Sequence, residues 1–320
     1  MMLLNGKAAE EYIARAVLPA MGIGGRPFTA TTPEAGTRST IHLIRAEGMP
    51  PLLMRAFEHR AQAVRNAEAL RHLEQLGLPA PRLVFHDAWP AQITVETWVE
   101  GTRHAALSDP AVARETTLDI ASLLARFHAV TRNVWGRPSV SVRARVFSFG
   151  SSTQVVARRM VKELSASGWL EAEGTASTLA RFASWAERIG EIRSFSLVHN
   201  DANRHNFVVA PTGEVTPVDL HRLAYEPFCE ELVNALYHFC RKDSVLADRF
   251  LERYFQSAGE AAFRQFDATR GFFEPLNYLK KMHRRARTLV GRAGDNDDND
   301  DNDDKMNRWR QLVLSMKAAG

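Results

Sequence analysis

The residues best suited to chemistry lie in one stretch, Leu197-Val198-His199-Asn200-Asp201-Ala202-Asn203-Arg204-His205-Asn206-Phe207-Val208-Val209, with Pro217-Val218-Asp219-Leu220 shortly after it. Asp201, Asn206 and Asp219 all bear oxygen, and hard cations take oxygen ligands. Asn206 and Asp219 could hold such an ion, while Asp201 could orient a hydroxyl or accept its proton. Transfer of a phosphoryl group from ATP needs both tasks: a carboxylate beside the acceptor hydroxyl and a cation against the phosphate oxygens. Four residues separate Asp201 from Asn206, so a single loop can bring both side chains to one mouth. A hairpin of 207–209 with 215–218 would return Asp219 to the same place, with Phe207, Val208 and Val209 as apolar anchors behind the loop.

A competing chemistry uses the histidines. His199, Asp201, His205, Asp219 and His221 carry imidazole and carboxylate groups that suit zinc, iron or manganese in a hydrolase. That reading leaves Asn206 and the first third of the chain without a task.

The elements that must position the loop follow from the pattern. Thr40–Arg45 and Leu52–Phe57 have strand character on either side of a turn containing Gly48, Pro50 and Pro51. Val64, Ala67, Leu70, Leu73 and Leu76 recur at helical spacing within Ala61–Leu76, which Gly77 and Pro79 end. Arg82–Phe85 and Gln92–Trp98 read as further strands, and Gly101 punctuates the chain. The spacing then predicts helices over 110–130, 151–165, 175–192, 228–241, 244–257 and 272–290. Residues 195–221 interrupt them with short β-like pieces. Such strands are marginal without support, and loops carried on a scaffold of this kind often bear catalytic groups.

At 320 residues, the chain is long enough for about two domains. With 45% hydrophobic and 24% charged residues its composition is that of a globular protein. No apolar run approaches the roughly 18 residues of a membrane span. Met1–Lys7 is too short and polar for a secretory signal, so no membrane span is expected and the cytoplasm is the expected location. Cys229 and Cys240 stand eleven apart, a spacing that makes neither a redox pair nor a zinc site; two reduced, partly buried thiols are expected.

The net charge of +4 conceals an asymmetry, because residues 295–304 hold seven aspartates. The rest of the chain is markedly basic, which suits an anionic ligand such as a nucleotide; no nucleic-acid partner is expected. The acidic tract lacks the glycine of a calcium loop, and Met306 stands where the closing Glu would be. A disordered loop is expected over 295–304, with a helix re-forming over Met306–Ala319.

The pattern His-x-Asp-x-x-x-x-Asn at His199–Asn206, followed by a short hairpin and Asp219, resembles the catalytic and metal-binding core of the aminoglycoside phosphotransferase and choline kinase superfamily. These are small-molecule relatives of the protein kinases. Glu68–Val84 is similar to the family's first-lobe helix and the strand entry after it, and Thr97-Trp98-Val99-Glu100-Gly101 to its hinge. Leu123–Ala129 resembles its Leu-x-x-Leu-His helix, and order and spacing match from about residue 36 to 240.

The resemblance implies an α+β, two-lobed, protein-kinase-like fold. A small antiparallel-sheet lobe over 1–98 would clamp the nucleotide, and a larger, mainly helical lobe over 99–320 would carry the catalytic and substrate-binding groups. It implies Asp201 as catalytic base or hydroxyl-positioning group, and Asn206 and Asp219 as magnesium ligands. Arg55 stands where the family has a basic residue for the ATP phosphates, with Glu68 as its partner from the helix. Gly36 belongs to the phosphate-covering loop, and Thr97 and Val99 would offer backbone groups to adenine. His199 would brace the catalytic loop, and Glu231 stands where the family often has an Asp that caps a helix or touches substrate.

The sequence departs from the family pattern in places. Glu34–Ser39 supplies one glycine where a glycine-rich loop is usual, Asn200 replaces a Gly, and Arg55 replaces the Lys of protein kinases. An arginine still gives phosphate a permanent charge and a matching fork.

These readings converge on ATP-dependent transfer of the γ-phosphoryl group to a hydroxyl of a small molecule. The alternative is a catalytically silent kinase-fold protein that binds nucleotide, whose mark would be loss of Asp201, Asn206 or Asp219; all three are present. The acceptor is open: Arg143, Arg145, Arg158 and Arg159 favour an anion, whereas Glu226, Glu230, Glu231, Asp243 and Glu274 favour a cation.

Overall fold

The computed structural model describes residues 6–32, 39–139, 148–240, 243–290 and 299–316. Gly36 with its loop, Arg143, Arg145 and residues 295–298 lie outside the described residues. The chain is α+β and divides into two compact units. One comprises Met1–Leu123, Arg137–Ser139 and His199–Ala224; the other comprises Leu124–Gly136, Val140–Val198 and Tyr225–Gly320.

The first unit opens with α1 (Gly6–Tyr12), a π-helical turn (Ile13–Val17) and α2 (Leu18–Ala20), helical structure that the sequence pattern did not announce. Five strands follow: β1 (Phe28–Thr31), β2 (Ser39–Ala46), β3 (Leu52–Phe57), β4 (Leu83–Asp87) and β5 (Ile93–Thr97). They pair antiparallel in the order β1-β2-β3-β5-β4. Ala9, Ile13, Val17 and Leu18 pack with Leu52, Met54 and Ala56 of β3 and with Ile93 and Val95 of β5. Each large apolar side chain buried there contributes roughly 1.5–3 kcal/mol.

Alternation along a strand sends the intervening residues to the opposite face. That face carries Arg55, Thr94 and Glu96, and all six residues of β3 are buried. Helix α3 (Arg60–Gln75) covers it, turning Ala63, Asn66, Ala67, Leu70 and Leu73 inward. A capping box starts the helix: His59 accepts at the third residue and Gln62 reaches back to the His59 N–H. Gly77 and Leu78 close it by donating to Glu74 and Leu73. Leu76, expected on the apolar face, lies beyond the helix and is exposed.

The same unit holds a small three-stranded sheet in the order β10-β9-β6. Its strands are β6 (Thr102–Arg103), β9 (Phe207–Val209) and β10 (Val215–Pro217). Between the first two in sequence lie β7 (Thr131–Arg132) and β8 (Phe195–Val198), which pair with each other in the second unit.

Helices dominate the rest of the chain: α4 (Pro110–His128), α5 (Phe149–Ala166), α6 (Ala172–Gly190), α7 (Phe228–Ala235), α8 (Ser244–Ala258), α9 (Glu260–Val290) and α10 (Asn299–Leu314). A short strand β11 (Ala224–Glu226) precedes α7, and a π-helical turn over Leu236–Cys240 follows it. Expected as starting at 272, α9 begins at Glu260 and runs through Pro275 without ending. Phe272, Phe273, Leu276, Leu279 and Met282 are all buried along it, and this packing outweighs the local proline penalty.

Residues 299–304, expected as disordered loop, are helical. The helix is held by packing: α10 buries Met306 and Val313 completely. Cys229 and Cys240 are buried and unbridged, and burial pushes both thiols up to about 12. Among the described residues no helix is long and apolar enough to cross a membrane.

Candidate active site

The loop from His199 to Asn206 leaves β8, whose four residues are all buried, and enters β9. Asn200 takes φ 63°, the left-handed region, where asparagine is among the few side chains tolerated. This explains how the chain dispenses with glycine before Asp201. Loop polar groups then close on one another. The Nδ2 groups of Asn203 and Asn206 both donate to the carbonyl of Asp201, at 3.0 and 2.9 Å. Asn203 also accepts from the His205 N–H at 2.9 Å, and its carbonyl accepts from the Asn206 N–H at 3.0 Å.

The hairpin returns as expected from the pattern. Val215, Thr216 and Pro217 pair with Val209, Val208 and Phe207. Val218 then donates to the Asn206 carbonyl at 2.9 Å, and His199 Nε2 donates to the Val218 carbonyl at 3.0 Å. His199 therefore ties the loop to the segment carrying Asp219, and its ring lies 5.7 Å from that of Phe207. Asp219 itself has φ 63°. With its amide nitrogen fixed on Asp201, the Asn206 carboxamide keeps its oxygen for another partner.

Charge is concentrated around Asp219. His221 Nδ1 lies 2.8 Å from its Oδ1, and Arg55 Nη1 lies 3.6 Å from the same atom. Burial alone would raise the Asp219 carboxyl; the His221 hydrogen bond and the Arg55 charge outweigh it and hold the group well below the usual carboxylate range. Arg222 Nη1 stands 3.9 Å from Asp201 Oδ1. The Asp201 and Asp219 side chains keep 28% and 30% of their surface exposed, so both carboxylates remain accessible.

Arg55 makes a second ion pair, with Glu96 Oε1 at 3.7 Å. Asn66 Nδ2 donates to Glu96 Oε2 at 3.1 Å and to Thr94 Oγ1 at 3.0 Å. Burial raises the Glu96 carboxyl from its ordinary value, opposed by Arg55 and by the Asn66 hydrogen bond.

A family model described as the phosphotransferase enzyme family, APH, matches residues 29–271, which span every one of these groups. The chain belongs to that phosphotransferase family. No curated protein matches it significantly. Solved structures similar to it include aminoglycoside phosphotransferase APH(4)-Ia, at 13% identity and a TM-score of 0.65, covering 97% of this chain and 100% of that one. A Plasmodium vivax ethanolamine kinase matches at 12% identity and a TM-score of 0.63, covering 97% and 88%. Aminoglycoside phosphotransferase APH(2'')-Ib, in its ADP-bound form, matches at 14% identity and a TM-score of 0.58, covering 95% and 99%. At these identities the likeness is one of fold, and it agrees with the expected two-lobed, protein-kinase-like class.

For this phosphotransferase-family chain, the expected site residues divide into those brought together and those not. His199, Asp201, Asn206, Asp219 and Arg55 are joined by the contacts above. The Glu68 carboxylate accepts from Ser139 Oγ at 3.0 Å. The counter-charge instead comes from Glu96, on the strand adjoining Arg55. Thr97 spends its N–H on the Arg82 carbonyl and accepts the Arg82 N–H on its hydroxyl, both at 2.9 Å, so its N–H is not available to a base. Val99 is half-buried in the connector after β5. Of the two roles expected for Glu231, capping a helix or touching substrate, its surroundings favour a structural one. Its side chain is 2% exposed and bonded to His128 Nε2 at 2.9 Å, inside the second unit.

The histidine-rich alternative also falls. Among the described residues no group of three or more His, Cys, Asp or Glu is placed to hold a metal. The oxygen set of Asn206 and Asp219 suits magnesium, which binds through one or two protein ligands and keeps the rest for water and phosphate.

Sequence reasoning missed Glu96, Asn66 and the tasks of His221 and Arg222. Two signals pointed to the first pair: Asn66 interrupts an apolar helix face, and Thr94 and Glu96 alternate inward on a strand that is otherwise apolar.

Proposed function

We propose that the chain is an ATP-dependent phosphotransferase that moves the γ-phosphoryl group to a hydroxyl of a small molecule. The observation that carries this reading is the hairpin register. Val218 bonds Asn206, and Asn206 bonds Asp201. Asp201, Asn206 and Asp219 are thus held in one construction, with Arg55 3.6 Å from Asp219, which supports reading Asp201 as the hydroxyl-activating carboxylate and the other two as metal ligands.

Each group has a task on this reading. Asp201 orients the acceptor hydroxyl and takes its proton as the bond to phosphorus forms. Asn206 and Asp219 hold magnesium, which supplies positive charge against the phosphate oxygens. Arg55 adds a fixed charge from the sheet. Val99 and the Thr97 carbonyl face the base, and Gly36 belongs to the loop over the phosphates. His199 fixes the loop so that little reorganisation is needed in the transition state. The ADP-bound form of one similar structure supports nucleotide use. Unbridged, buried thiols and a need for ATP support a cytoplasmic location.

The test is magnesium-dependent release of ADP from ATP over a panel of hydroxylated metabolites that includes aminoglycosides, choline and ethanolamine. Turnover of one acceptor, abolished by Asp201→Ala and by Asp219→Ala, supports the reading. Tight nucleotide binding with no transfer to any acceptor would replace it with a silent nucleotide-binding role.

A further inference from the structure

We propose that Glu96 is a positioning residue of the nucleotide site: together with Asn66 it shares the Arg55 guanidinium with Asp219, limits the hold of that guanidinium on Asp219, and so leaves Asp219 able to take a divalent cation. The inference rests on the phosphotransferase reading above and adds to it a residue that the family resemblance did not supply.

The argument begins with the sheet. Arg55 on β3 is paired across from Thr94 on β5, and Glu96 is two residues further along β5 on the same face. The three side chains therefore project from one rigid surface. Arg55 is 8% exposed and Glu96 2%, so the ion pair between them is shielded from water and from salt. A buried charge that loses its partner is strongly disfavoured, and Arg55 will seek a carboxylate wherever one is in reach. Two are in reach. Nη2 lies 3.7 Å from Glu96, and Nη1 lies 3.6 Å from Asp219.

This division has a chemical consequence. A guanidinium collapsed onto Asp219 would compete with a cation for the same carboxylate, whose Oδ1 already accepts from His221. Glu96 balances that pull. Its other oxygen is fixed by Asn66, which is itself buried and anchored on Thr94. The counter-charge thus sits on a strand beside Arg55, and α3 contributes a neutral carboxamide. The clamp is assembled within the sheet and requires no carboxylate to swing in with the helix.

The experiment measures ADP binding by calorimetry across a series of magnesium concentrations, with urea unfolding run in parallel. Glu96→Gln keeps the shape and removes the charge. It is expected to raise the magnesium concentration at half-maximal tightening by about tenfold, the low end of what loss of a partner behind a metal ligand costs. Asn66→Ala is expected to shift it in the same direction by less. In an Arg55→Gln background, Glu96→Gln should add nothing, because the competing guanidinium is gone. Where Glu96→Gln yields too little folded protein, Glu96→Asp, with its shorter reach, carries the same expectation. Equal magnesium midpoints in wild type and variant overturn the proposal, as does a shift that persists without Arg55. A folded wild type that binds no ADP at any magnesium concentration overturns the functional reading and this proposal with it.

Discussion

Arg222 Nη1 lies 3.9 Å from Asp201 Oδ1, while His221, one residue earlier, holds Asp219 at 2.8 Å. Both come from a single turn, closed by the Leu223 N–H on the Leu220 carbonyl at 2.9 Å. One turn thus touches both carboxylates of the site with cationic or hydrogen-bonding groups. The Arg222–Asp201 pair is about one-third exposed on each side, and such pairs contribute little to stability. On the proposed function, the pair places a guanidinium beside Asp201, where a transferring phosphoryl would gather charge. Arg222→Ala should leave the urea midpoint in place and lower turnover by about a hundredfold, the scale for removing one aimed donor. Arg222→Lys should recover part of the loss, since charge returns without the fork. A shifted midpoint with unchanged turnover would assign Arg222 to the turn alone.

Asp219 makes stability depend on pH in a definite direction. Its carboxyl is held well below the ordinary value by His221 and Arg55 despite burial. A depressed folded value contributes stability that is fully present above the unfolded value of about 3.9 and is lost as pH falls below it. Asp219→Asn removes this contribution while leaving the backbone at ease, because asparagine tolerates the φ of 63° found there. The wild type should therefore exceed Asp219→Asn in stability at pH 7, and the gap should narrow between pH 5 and pH 2 in urea titrations. A gap that stays constant over that range would show that Asp219 is not held ionised by its neighbours.

Much of the site was legible because local pattern and chemistry agreed there. Asp201, Asn206 and Asp219 are close in sequence, and the Phe207–Val209 and Val215–Pro217 strands announce a hairpin, so their proximity follows from short-range structure. Glu96 was not legible as the partner of Arg55, because that choice depends on which strand adjoins β3, a long-range fact. The partner of Glu231 was hidden for a similar reason: only tertiary packing places it against His128, 103 residues away. The N-terminal helical run escaped because it opens on Gly6, a poor helix former, and its stability comes from the sheet it covers. The acidic stretch at 299–304 was taken for loop because composition outweighed its position at the head of a helix.

Within the second unit, Glu231, His128 and Tyr254 form a buried chain, with His128 Nε2 2.9 Å from Glu231 and Nδ1 2.8 Å from the Tyr254 hydroxyl. Desolvation and the nearby Cys229 and Glu231 raise the Tyr254 phenol, which stays protonated and able to donate. Removing one member leaves the others buried and unsatisfied. Glu231→Ala should cost about 1–3 kcal/mol in urea unfolding, because it leaves His128 Nε2 buried and unsatisfied, and Glu231→Gln, which keeps an acceptor, should cost less. ADP affinity of the folded fraction should not move in either case. Unchanged stability with an altered KM for an acceptor would return Glu231 to the substrate site.

Gly101 links the connector after β5 to the strand that anchors the His199–Asn206 loop. Its φ is 146°, and an added Cβ would stand 2.2 Å from the Val209 carbonyl oxygen and 2.7 Å from its carbon. Those atoms are backbone and cannot rotate away. Immediately after Gly101, Thr102 and Arg103 pair with Val209 and Val208, the strand from which the loop carrying Asp201 and Asn206 is held. Gly101→Ala must either strain the connector, at a cost of about 1–3 kcal/mol, or push β6 off β9. The first outcome lowers the urea midpoint alone; the second also lowers turnover per folded molecule, because Asn206 precedes β9 directly. A combined loss is expected, since the clash is too close to be absorbed by strain alone. An alanine variant with wild-type midpoint and turnover would show that the β6–β9 pairing does not constrain the loop.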